Sequence, residues 1–79
     1  MKTIKLVGTD EQKVDWLNER DPFHQWAVGD DIYCFHCEKI FKAENVVRDK
    51  YHDPNCPHCV GSSPMDFIGR GSTLWPDDL

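Results

Sequence analysis

Two Cys-x-x-Cys pairs, Cys34-Phe35-His36-Cys37 and Cys56-Pro57-His58-Cys59, are separated by 18 residues, giving C-x2-C-x18-C-x2-C. No other feature restricts this chain as tightly. Two cysteines three positions apart on a tight turn aim both sulfurs at one point. Two such turns supply the four corners of a tetrahedron, with zinc–sulfur distances of about 2.3 Å. The spacing falls within the window for a four-cysteine zinc site, so Cys34, Cys37, Cys56 and Cys59 are the expected metal ligands.

Size reinforces this reading. At 79 residues the chain is expected to form one small domain. An apolar core of that size rarely supplies more than about 3–5 kcal/mol. A structural zinc contributes roughly 10–16 kcal/mol of apparent binding energy, much of it available to folding. The opening "MKTIKLVGTDEQK" lacks a signal-peptide apolar stretch, and no apolar run is long enough to cross a bilayer. The expectation is a protein of the reducing cytoplasm, where four cysteines serve as metal ligands rather than disulfide partners.

Four histidines compete for a place at the metal: His24, His36, His52 and His58. Three-cysteine, one-histidine zinc sites exist, and His52 is the best-placed substitute. Four suitably spaced cysteines already fill a tetrahedron, however. Residues inside the x2 of a knuckle point away from the metal, so His36 and His58 read as exposed or as donors to carbonyls. His24 reads as surface.

With Tyr33 just before the first pair, Phe41 four residues after it and Cys-Pro-x-Cys in the second, the chain resembles the zinc ribbons over Ile32 to Ile68. These are small β-hairpin modules holding one zinc between two knuckles. The resemblance implies a small metal-bound α+β fold: an N-terminal helix followed by a β-hairpin zinc ribbon. Residues 1–24 would form a strand/helix segment, 25–70 the ribbon and 71–79 a tail. Zinc knuckles usually carry Gly directly after the second cysteine, for its positive φ. Here Glu38 and Val60 hold those places, with Gly61 one position late. The chain is also similar to the rubredoxins, small, acidic, aromatic-rich proteins with paired knuckles that hold iron. Its inter-knuckle segment is shorter than theirs, and both knuckle glycines are missing. Softness alone does not separate zinc from iron at four thiolates, so iron is the alternative metal. Cys-Pro-His-Cys also resembles the active-site tetrapeptide of the DsbA-type thiol oxidants. That reading needs a strand-to-helix turn, and "VGSSPMDF" after Cys59 does not permit the helix.

Around the clamp, Thr9 with Gln12 forms a capping-box pattern. It predicts a helix running to about Arg20, where Pro22 forces Asp21 out of helical geometry. Trp16 is expected to pack on the ribbon. Gln25–Val28 and Ile32–Phe35 flank Gly29-Asp30-Asp31 and suggest a hairpin whose turn holds both aspartates. Lys39–Phe41 reads as the returning arm. Residues 43–48 read as a helical turn or a strand, and Met65–Ile68 as the last strand. The end, "GRGSTLWPDDL", has turn composition. Trp75 within it is expected to fold back as a lid. No internal repeat appears beyond the two knuckles.

A four-ligand site leaves no position for a reacting water, so the chain is expected not to be an enzyme. Nine basic against fourteen acidic side chains give a net charge of −5. Four thiolates around a dication make the balance still more negative. Nucleic-acid binding needs a cationic surplus and is disfavoured, although Phe35, Tyr51 or His36 could stack on single-stranded bases. An acidic, metal-stiffened domain with spare aromatics suits contact with a protein partner, such as one with a basic surface.

Overall fold

The computed structural model describes residues 3–59 and 61–76. Among these are strands β1 (Ile4–Lys5), β2 (Asp31–Cys34), β3 (Lys39–Lys42), β4 (Val47–Arg48), β5 (Pro54–Asn55) and β6 (Phe67–Gly69), with one helix, α1 (Asp10–Arg20). They form an α+β arrangement with two antiparallel sheets, in the orders β1-β4-β5 and β3-β2-β6.

Helix α1 starts where its capping residues place it. The Thr9 hydroxyl accepts from the Gln12 N–H at 3.2 Å, and the Gln12 carboxamide accepts from the Thr9 N–H at 3.0 Å. The box depends on Gly8. Its φ is +126°, and a Cβ there would stand 2.5 Å from Gln12 Oε1. Asp10 and Glu11 face the positive end of the helix dipole. At the other end Asp21 is extended, as the following proline requires. Val14 and Leu17 are buried, and Trp16 packs half-buried against the same core with the Arg20 guanidinium 4.5 Å from its ring.

Strand β2 is central, and three consecutive residues, Ile32, Tyr33 and Cys34, are all buried. A strand covered on only one face would alternate. Ile32 and Cys34 enter the core with Phe41 and Phe67, whose rings meet edge-on at 5.3 Å. On the other face Trp75 lies edge-on to Tyr33 at 6.0 Å, and the Arg70 guanidinium sits 5.1 Å from the indole. The segment carrying Arg70 and Trp75 therefore folds back over β2.

Several expectations change. Residues 25–28 are not a strand, and β2 pairs with β3 and β6 instead. The reason is Asn18. Its side chain accepts from the Trp26 N–H at 2.7 Å and donates to the Trp26 carbonyl at 2.9 Å, occupying the groups a strand partner would need. Only Asp30 belongs to the turn, where its carboxylate accepts from the Ala27 N–H. Asp31 opens β2 and is held by Lys42 and Arg70. Residues 43–48 use both readings, a 3₁₀ turn at Ala43–Asn45 and then β4. The last strand begins at Phe67, because Pro64–Asp66 is a 3₁₀ turn capped by Ser63. The strand before the helix, β1, pairs with β4, a partner the sequence did not show, so the inter-knuckle segment and the N-terminal segment share a sheet.

His24 is also corrected. Its ring stacks on Trp26 at 4.7 Å, and its Nδ1 lies 3.1 Å from an Asp21 carboxylate oxygen. Asp21 is 3% exposed and also accepts from the Trp26 indole N–H at 2.7 Å and the Phe23 N–H at 2.9 Å. The helix-stopping aspartate is thus the hub of a buried polar cluster.

Candidate metal centre

Cys34 ends β2, and Cys37 lies in the turn that leads to β3. Within that turn the Glu38 N–H donates to the Cys34 carbonyl at 2.7 Å. Glu38 has φ +60°, so it takes the left-handed conformation that glycine usually supplies at this place. Cys56 follows β5, and the His58 N–H donates to its sulfur at 3.3 Å. Gly61, at φ +97°, turns the chain after the second pair and donates to the Asn55 carboxamide at 3.1 Å. The Val60 expectation lies outside the described residues.

The Sγ atoms of Cys34, Cys37, Cys56 and Cys59 all lie within 4.8 Å of one another. Adjacent sulfurs stand 3.4 Å apart for Cys37–Cys56 and Cys56–Cys59, and 3.9 Å apart for Cys34–Cys59. A tetrahedron with about 2.3 Å zinc–sulfur bonds has sulfur–sulfur edges of about 3.8 Å, so the four thiols fit a single ion. Every one of these contacts is well beyond a disulfide bond of about 2.05 Å, and all four cysteines are free. Cys34 and Cys56 are buried, while Cys37 and Cys59 are half-buried. Such a group can hold a metal ion.

The electrostatics of the four thiols show why a cation suits them. Burial pushes the Cys34 thiol up to about 11, and it pushes Cys56 up as well. At Cys59 burial also works upward, but hydrogen bonds from Cys56, Ser62, His36 and Cys37 outweigh it and bring the thiol down to about 7. The cluster therefore takes negative charge at Cys59 before Cys34 or Cys56, which keep their protons. Four thiolates packed this closely need a cation between them.

Supporting residues surround the sulfurs. Ser62, 4% exposed, accepts from the Cys56 N–H at 2.9 Å and also bonds to Cys59. The fully buried Asn55 ties β5 to Gly61. Neither is singled out in the sequence, where "VGSSPMDF" serves only to exclude a helix after Cys59. His36 is exposed and reaches the Cys59 sulfur rather than a carbonyl. His58 is exposed, and His52 and His24 are not part of the four-residue group. Comparison with protein-family models, with curated proteins and with solved structures finds no match.

Proposed function

We propose that Cys34, Cys37, Cys56 and Cys59 hold one structural Zn²⁺ in a zinc-ribbon-like clamp, and that the protein is a non-enzymatic module acting by protein contact. The convergence of four sulfurs from two knuckles carries the reading. Zinc bound by four protein thiolates has no open position for water, which argues for structure over catalysis. Free thiols used as ligands suit a reducing compartment such as the cytoplasm. No helix among the described residues is long and apolar enough to cross a membrane. The net charge of −5 weighs against nucleic acid as the partner.

Metal analysis of protein purified without added metal tests the first half. One equivalent of zinc is expected. A red, visible-absorbing protein would instead assign the same four sulfurs to iron and electron transfer, while absence of metal would sink the clamp. Affinity capture with nuclease treatment tests the second half, since a catch that disappears with the nucleic acid contradicts protein contact.

A further inference from the structure

The outer edge of β3 faces a cleft of about 560 Å³. Its lining includes three consecutive residues of the strand, Ile40, Phe41 and Lys42. Successive side chains alternate between faces, so a groove touched by three in a row runs along the strand's edge. The register shows what that edge offers. The Ala43 N–H donates to the Asp30 carbonyl at 2.9 Å, making that pair hydrogen-bonded, and Asp31 lies opposite Lys42. Bonding alternates along an antiparallel pair. Phe41 therefore bonds to β2, while the N–H and C=O groups of Ile40 and Lys42 point outward. No strand lies beyond β3 among the described residues.

The groove differs in charge from the molecule. Lys5, Lys13 and Lys42 line it, together with the carboxylates Asp31 and Glu44. Both carboxylates are already engaged: Asp31 by Lys42 and Arg70, and Glu44 by the Gly29 N–H at 2.9 Å. Lys5 and Lys13 add a local cationic field to a chain of net charge −5. Leu6 and Val47 give the groove apolar walls.

We propose that this groove binds an extended acidic peptide of a partner protein, added as a fourth strand along β3. Apolar side chains alternating with carboxylates match an apolar wall rimmed by lysines, and main-chain bonds to Ile40 and Lys42 set the register. A second copy of this chain is a poor occupant. Two copies joined along β3 would bring the lysine-lined groove of one against that of the other, where like charges repel. The inference deepens the protein-contact reading and rests on it. It reverses the partner charge expected from composition, because the local field governs docking more than the net charge does. Pro57 and His58 of the second knuckle also line the groove, so the metal clamp shapes one wall.

The test uses a blocked octapeptide of alternating Val and Glu, added to the full chain as purified, with amide exchange followed by NMR and metal content measured in the same sample. Ile40 and Lys42 N–H groups are expected to gain at least about tenfold protection while Phe41, already bonded, changes little. Binding is expected to weaken about tenfold in the Lys5→Glu, Lys13→Glu double variant and to fall with added salt. The proposal is overturned if a folded, metal-bearing chain shows no protection, if a Val–Lys peptide binds equally well, or if protection appears only at Phe67–Gly69. A metal-free sample that still protects Ile40 and Lys42 sinks the clamp and keeps the groove.

Discussion

Glu38 and Asp21 show how much a single position can carry in a chain this small. Glu38 occupies the left-handed region at φ +60°, which costs a non-glycine residue about 1 kcal/mol or more. Glu38→Gly is therefore expected to raise stability by about 0.5–1 kcal/mol, part of the gain being offset by unfolded-chain entropy, as read from thermal melts of the metal-bearing protein. A lower melting temperature would show that the Glu38 side chain has a role that outweighs its backbone strain. At Asp21 the expected effect is larger. Asp21→Ala leaves the Trp26 indole N–H and the Phe23 N–H without their acceptor, a loss of about 2–3 kcal/mol with a shifted Trp26 emission. The four cysteines were legible in the sequence because spacing alone fixes where two knuckle turns can aim. Asp21 and His24 were not. An aspartate before proline reads fully as a helix stop, and nothing local shows that the same carboxylate also collects an indole, an imidazole and an amide.

At the scale of elements, α1 follows its own sequence, whereas the sheets follow contacts made at a distance. The capping box lies within four residues and is visible without any tertiary context. Gly8→Ala tests how far that box depends on its preceding glycine. Strain at φ +126° and the collision with Gln12 are expected to destabilise the helix start by about 1–2 kcal/mol, seen as lower helicity by circular dichroism and a lower melting temperature. The segment at 25–28 shows the opposite case. Its apolar residues beside a turn-rich triplet suit a strand, but Asn18, one helix away, claims the backbone of Trp26. Asn18→Ala is expected to expose those two groups and to loosen the link between α1 and the loop, with faster amide exchange at Trp26. Unchanged exchange there would remove Asn18 from that role. The short strands β1 and β5, of two residues each, carry too little pattern to be read locally. They exist because β4 offers an edge on either side.

For the whole molecule the cluster of thiols and its charge dominate. With Cys34 raised to about 11 and Cys56 raised too, both hold protons at neutral pH in the metal-free fold, while Cys59, at about 7, is partly ionised. Metal binds thiolates, so loading must release those protons and apparent affinity must rise with pH. Below pH 7 all three sites contribute to the slope. Above it the Cys59 contribution fades, while that of Cys34 continues towards 11. Competition against a chromophoric chelator between pH 6 and 8 is expected to show this flattening, and a pH-independent affinity would contradict it. Chelation at neutral pH is expected to cost most of the cooperative melt, since the core has few large apolar residues and two of its buried members are ligands, Cys34 and Cys56. The sequence by itself determined the helix, the two knuckle turns and the identity of the four thiols, because each is set by residues within a few positions of one another. Only the tertiary structure decided the strand order, the buried Asp21 hub and the lysine-rimmed edge of β3. Those arise when segments far apart in the chain meet, and the free energy that selects among such meetings is not written in any one of them.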